Sequence, residues 1–141
     1  MNIRIDRSCD NVYDWSLIPE ILKQGGMGYF DAETHKKAFE NSYATVFVYD
    51  NDKLIGFGRA LSDGTYQGAI YDVAILSQYQ GKGIGKLIIN TILESIPGCN
   101  VILYAAKGKE GFYSNLNFRK MKTGMALFNN AEKMKEKGFT E

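Results

Sequence analysis

Apolar and polar positions along this chain change period several times, and each change marks an element. Residues 2–5 alternate as in a strand, whereas Val12, Trp15, Leu17 or Ile18, Ile21 and Leu22 recur at helical spacing until Gly25-Gly26 stops them. Asp31 is placed to cap a second helix reaching about Phe39. Residues 43–49 are β-branched and aromatic and predict a strand; Asn51-Asp52 then turns the chain into a returning strand over 53–61. Asp63-Gly64 is a second turn signal before a third strand over 69–76, which completes an antiparallel meander.

A glycine-rich stretch over 80–85 leads into Leu87, Ile88, Ile89, Thr91, Ile92 and Leu93, a mostly buried helix ended by Pro97-Gly98. Residues 101–105 predict a strand, 112–116 a short helix and 121–128 one or two closing strands, while 130–141 is polar and reads as a loose tail. The order β, α, α, β, β, β, α, β, α, β contains no repeat or linker. It describes an α/β protein of the α+β kind, with a mixed, mostly antiparallel central sheet flanked by helices in a single domain, 1–141.

Composition narrows the partners. Seventeen basic against 16 acidic side chains leave a formal charge of +1, with no long basic run, so neither nucleic acid nor an anionic membrane is an expected partner. Cys9 and Cys99 lie far apart without metal-ligand spacing, and His35 is the only histidine, so no metal site is expected. His35 follows Asp31 in a first helical turn and is expected at the surface. The opening residues lack a signal-peptide stretch and no window reaches membrane-span length, so the expected location is cytoplasmic.

The chemistry concentrates in Gln80-Gly81-Lys82-Gly83-Ile84-Gly85-Lys86, between a buried strand and a helix start. Glycines let the backbone turn sharply and approach a ligand, and the first amides of a helix point outward with positive partial charge. Such a turn cradles phosphate, although a tight connection holding no ligand has the same composition. Lys86 is followed by Leu87, not by the hydroxyl a Walker loop needs for magnesium, and Lys86 fills the sixth place where a Rossmann fingerprint has glycine.

This stretch resembles the Gln/Arg-x-x-Gly-x-Gly/Ala signature of the GCN5-related N-acetyltransferases, with residues 70–75 similar to the strand before it. Gly111-Phe112-Tyr113-Ser114-Asn115-Leu116-Asn117-Phe118 resembles the same family's Phe-Tyr-x-x-x-Gly-Phe segment, with Asn117 in the place of glycine. Asparagine tolerates a left-handed backbone better than most residues. The two motifs cover the C-terminal half of the chain. Lys107-Gly108-Lys109 departs from relatives that carry a cofactor-contacting asparagine there.

The resemblance implies the family's acyl-coenzyme A fold and acetyl-coenzyme A as co-substrate. The pyrophosphate would lie on the amides of Lys82, Gly83, Ile84, Gly85 and Lys86 after Gln80, and the pantetheine arm beside Ala74, Ile75 and Leu76. In the family two parallel strands splay to expose that edge, here 73–76 and 101–105. It also implies that Tyr113 donates a hydrogen bond to the departing sulfur. A phenol near pKa 10 giving its proton to a thiolate near 8.5 is uphill by about 2 kcal/mol, so hydrogen bonding fits better than full transfer.

An acceptor amine near pKa 10 is about 99.9% protonated at neutral pH, and freeing its lone pair costs roughly 4 kcal/mol. Asp72 is the carboxylate on the cofactor strand, expected on one face with Ile70 and Ala74, as a base, a substrate anchor or a structural partner. Arg59 reads as a solvated arginine, with an anionic partner as the alternative. The reading is an acetyl-coenzyme A-dependent N-acetyltransferase acting on a small primary amine, such as an amino sugar or arylalkylamine, and family members often form homodimers. A non-catalytic acyl-coenzyme A sensor and a protein-lysine or N-terminal acetyltransferase are the alternatives.

Overall fold

The alternating stretches form a five-stranded sheet whose spatial order follows the chain: β1 (Ile3–Asp6), β2 (Ala44–Asp50), β3 (Lys53–Ser62), β4 (Gln67–Ile75) and β5 (Asn100–Ile102). The first four pair antiparallel, and β4 with β5 is parallel, because the connection between them contains a helix, α3 (Ile84–Ser95). The computed structural model describes every residue from Met1 to Glu141, and these gather into two compact units, Met1–Leu103 and Tyr104–Glu141.

In the first unit, strand alternation sends Phe57 to one face of the sheet and Gly58 to the other. On one face Phe39 of α2 (Ala32–Glu40) meets Phe47 and Phe57 at ring-centroid distances of 5.4 and 5.8 Å, and Trp15 closes on the same cluster. The other face is covered by α3: a Cβ on Gly58 would lie 2.8 Å from Ile88 and 3.1 Å from Ile92. Glycine at that position sets how closely helix and sheet approach. Val46, Phe47, Val48, Ile55, Phe57, Ile88, Ile89 and Ile92 are wholly excluded from solvent and form the centre of this core.

The expected helix from Val12 begins later, as α1 (Leu17–Gln24), after a 3-10 turn at Cys9–Asn11. Pro19 has no N–H to give and is tolerated only in a first turn, so the helix cannot run through it from Val12. Asp31 caps α2 as its sequence predicts, accepting from the Thr34 amide at 2.8 Å. No helix is long and apolar enough to cross a membrane.

The second unit contains α4 (Glu110–Ser114) and α5 (Ala131–Glu136). The strands expected over 121–128 do not form. That stretch has strand-like residues but no partner ladder, and Met125 and Leu127 stand fully in solvent. The tail also departs from expectation: Asn130 caps α5 by accepting from the Lys133 amide at 3.1 Å, and Phe139 packs edge-on against Tyr104.

Candidate active site

Beyond Ile75, the Leu76 amide still bonds the Ile55 carbonyl at 2.8 Å; a 3-10 turn at Ser77–Tyr79 then leads to the glycine stretch. Gly81 and Gly83 hold φ of 75° and 84°, and a Cβ built on either would meet no protein atom within 4 Å. Their conformation demands glycine and their outer side is open space. None of the backbone N–H groups of residues 81–86 donates to another protein atom; Leu87 is the first to bond back, to Gly83 at 3.1 Å. Lys82 and Lys86 are exposed, whereas Ile84 and Gly85 are buried and offer only backbone. Gln80 reaches back to the Ile75 carbonyl at 3.4 Å. Open space, outward amides and two ammonium groups fit a diphosphate at this turn.

The strand before the turn carries the second feature. Pairing of β4 with β5 stops at Ala69 opposite Ile102, so β5 is shorter than the expected 101–105, and the same edge of β4 over 73–75 has no strand partner. Ile75 therefore turns its backbone to an unpaired ladder edge, with its carbonyl taken by Gln80, while Ala74 faces β3 opposite Phe57; the open edge suits the amides of an extended arm. On its other edge β4 bulges: Phe57 faces Ala74 while Arg59 faces Tyr71, which leaves one extra residue in β4. Asp72 takes up the bulge with φ 57°. The bulge breaks simple alternation, so the expectation that Asp72 shares a face with both Ile70 and Ala74 fails. Ile70 pairs across to Ala60 on the α3 face, while Ala74 pairs to Phe57 on the α2 face.

Asp72 instead meets Arg59. Arg59 Nε donates to Asp72 Oδ2 at 2.7 Å, with the side chains only 16% and 24% exposed. The guanidinium also reaches the Ser42 hydroxyl at 3.4 Å and lies 5.8 Å from the Phe39 ring centre and 5.4 Å from that of Tyr71. Arg59 is thus paired and largely covered, not solvated, because α2 packs over the strand that carries it.

His35 completes the cluster and corrects the surface placement expected from its sequence neighbours: it is 4% exposed. Its Nε2 accepts from the Phe30 amide at 2.9 Å, which leaves the ring proton on Nδ1. Burial pushes the imidazole below its ordinary value; the nearby Asp72 carboxylate opposes that shift and the Arg59 guanidinium adds to it. The bond to Phe30 fixes the residues just before α2, where Tyr29 and Phe30 are exposed aromatics. No sequence pattern announced this role, since it depends on what α2 packs against.

Tyr113 lies on α4 in the second unit, between Phe112 and Phe118, with ring centroids 5.0 and 5.7 Å away. Burial pushes its phenol above the ordinary value, which keeps the hydroxyl protonated and able to donate. Asn117 takes the left-handed position, φ 71°, and ends the helix with Asn117 N–H to Ser114 O at 3.0 Å and Phe118 N–H to Tyr113 O at 3.1 Å. Asparagine therefore serves where the family motif has glycine. In the departing segment, the Gly108 amide bonds the Glu110 carboxylate at 3.0 Å.

The sheet is antiparallel but for one parallel pair that soon parts, and a glycine turn whose amides find no acceptor in the protein follows it at a helix start. Residues 42–120 match the family model described as the acetyltransferase (GNAT) domain. An uncharacterized N-acetyltransferase ycf52-like from Prochlorococcus marinus is 34% identical over 105 residues, covering 70% of this chain and 58% of that protein. The histone acetyltransferase TAP1 of Glycine max is 36% identical over 96 residues, 57% of this chain and 41% of that one. A crystal structure of a probable acetyltransferase of unknown function from meticillin-resistant Staphylococcus aureus superposes with a TM-score of 0.76 at 26% identity, covering 89% of this chain and 98% of the other. The chain belongs to the GNAT family of acetyltransferases. It spans little more than half the length of the curated relatives it matches first.

Proposed function

We propose that this chain is an N-acetyltransferase that binds acetyl-coenzyme A together with a small primary amine and transfers the acetyl group directly from sulfur to nitrogen. The observation that carries the reading is the run of unpartnered amides over 81–86 beside the unpaired edge of β4. Backbone N–H groups of Lys82, Gly83, Ile84, Gly85 and Lys86 hold the diphosphate, and Ala74, Ile75 and Leu76 guide the pantetheine arm. When bound, the co-substrate supplies an acetyl group activated as a thioester.

The protein's part is to orient the amine and to manage two protons. Asp72 offers Oδ1, since Arg59 takes Oδ2, and there it holds the acceptor nitrogen. A carboxylate is ordinarily about six units more acidic than an alkylammonium, so taking the proton outright would cost roughly 8 kcal/mol. Asp72 therefore anchors the amine, and water carries the proton away. His35 Nε2 is occupied by the Phe30 amide and is not free to act as base. Tyr113 keeps its proton and donates a hydrogen bond to the leaving sulfur.

The test is thiol release from acetyl-coenzyme A across a panel of amino sugars, arylalkylamines, polyamines and lysine peptides. Amine-dependent thiol with a small amine supports the reading. Binding without thiol release would replace it with an acyl-coenzyme A sensor. Transfer to peptides alone would move it to a polypeptide acceptor, the second reading, which the likeness to a histone acetyltransferase favours.

A further inference from the structure

Just before the glycine stretch, Tyr79 makes contacts that belong to neither family motif. Its hydroxyl donates to Asp50 Oδ2 at 2.7 Å, and Asp50 Oδ1 accepts from the Asn2 amide at 2.9 Å, so the turn leading to the cradle is tied to the end of β2. The Tyr79 ring sits 5.6 Å from the ammonium of Lys82 and 5.8 Å from that of Lys53, the first residue of β3. Two like charges have been brought to one aromatic ring, next to a run of backbone N–H groups that find no acceptor in the protein. Isolated lysines at a surface would spread apart. Here the electron-rich ring offsets part of their repulsion, and the Asp50 carboxylate is close enough to Lys53 to attract its charge.

We infer that Tyr79 is a positioning residue for the phosphate cradle, and that the ring it provides seats Lys53, from outside the glycine motif, beside Lys82 as a second cation for the negative charge of the nucleotide's phosphates. This rests on the reading of the turn as the coenzyme A site and adds to it the part of the sheet that orients the charge. The hydroxyl tether and the ring do separate work. The tether restricts the approach to the cradle, so its loss costs ordering at any salt concentration. The ring and Lys53 act through charge, so their loss is felt most where screening is weak.

Titration calorimetry of coenzyme A binding to the whole chain, at low and at high salt, separates these effects. Lys53→Gln is expected to weaken binding about three- to fivefold at low salt and to match wild type at high salt, with Lys53→Arg restoring affinity. Tyr79→Phe keeps the ring and is expected to lose about two- to threefold equally at both salt concentrations. Tyr79→Leu should combine both losses. In turnover, KM for acetyl-coenzyme A should rise in each weakened variant while KM for the amine stays as in wild type. Wild-type affinity of Lys53→Gln at low salt, a loss independent of salt, or failure of arginine to restore it would overturn the inference while leaving the coenzyme A site intact. A wild-type chain that does not bind coenzyme A overturns the site and the inference together.

Discussion

Asp72 reaches Arg59, Nε to Oδ2 at 2.7 Å, from a left-handed backbone position at the bulge of β4. A non-glycine residue in that conformation costs of order 1 kcal/mol or more and persists where surrounding contacts hold it. Here they do: the pair is largely covered, with Phe39 and Tyr71 beside the guanidinium.

Removing one partner leaves the other charge under cover. Asp72→Asn and Arg59→Leu are each expected to lower stability by about 1–3 kcal/mol, less than a fully buried pair because both side chains retain some water contact. The double variant should lose clearly less than the sum of the two. Urea unfolding of the four proteins measures the coupling, and strictly additive losses would show that the pair contributes nothing jointly.

His35 gives the pH dependence a definite sign. Its imidazole titrates below the ordinary 6.5 when folded, so between the two values the unfolded chain binds a proton that the folded chain does not. Stability from this group is therefore full above about 6.5 and falls as pH drops through that value toward the folded one. Protonation also removes the acceptor for the Phe30 amide. His35→Gln, whose carbonyl can replace that acceptor, should flatten the change in urea midpoint between pH 7.5 and 5.5. An unaltered pH slope would remove His35 from the account.

What sequence could and could not convey divides along local and non-local lines. The glycine stretch was legible because φ above zero, helix start and lysines all belong to adjacent residues; so was the Asp31 cap. Asp72 was legible as a candidate but not its setting, because nothing marks an aspartate that will occupy a bulge, and alternation then assigns Ile70 and Ala74 wrongly to one face. His35 and Arg59 were misplaced for the same reason: their burial is decided by α2 lying over β3, not by their neighbours in the chain. Residues 121–128 have the composition of a strand, but a strand exists only with a partner, and no partner ladder forms.

Gly58 tests the close approach of α3. A Cβ there would press on Ile88, Ile92 and Val73 at 2.8, 3.1 and 3.2 Å, atoms in the middle of the core. Gly58→Ala is expected to cost about 1–3 kcal/mol through overpacking. Ile92→Val in the same chain deletes the δ-methyl that lies 3.1 Å from the new Cβ and should recover part of that loss. A Gly58→Ala protein that melts at the wild-type temperature would mean that helix and sheet are less closely apposed than these distances state.

Gly83 and Tyr113 separate binding from chemistry. Gly83 is strained for any other residue, φ 84°, and its open side is where a diphosphate must approach its amides. Gly83→Val should therefore lower affinity for acetyl-coenzyme A at least about tenfold, both by strain and by filling the approach. It need not unfold the chain, since no protein atom lies within 4 Å of the added Cβ. Tyr113→Phe keeps the ring contacts with Phe112 and Phe118 and loses only the hydroxyl. A hydrogen bond to a developing thiolate is charge-assisted, so kcat should fall about ten- to a hundredfold with little change in KM for acetyl-coenzyme A. Equilibrium binding and steady-state kinetics on both variants check the division: unchanged affinity in the first would remove the diphosphate from the glycine turn, and unchanged kcat in the second would leave Tyr113 a packing residue.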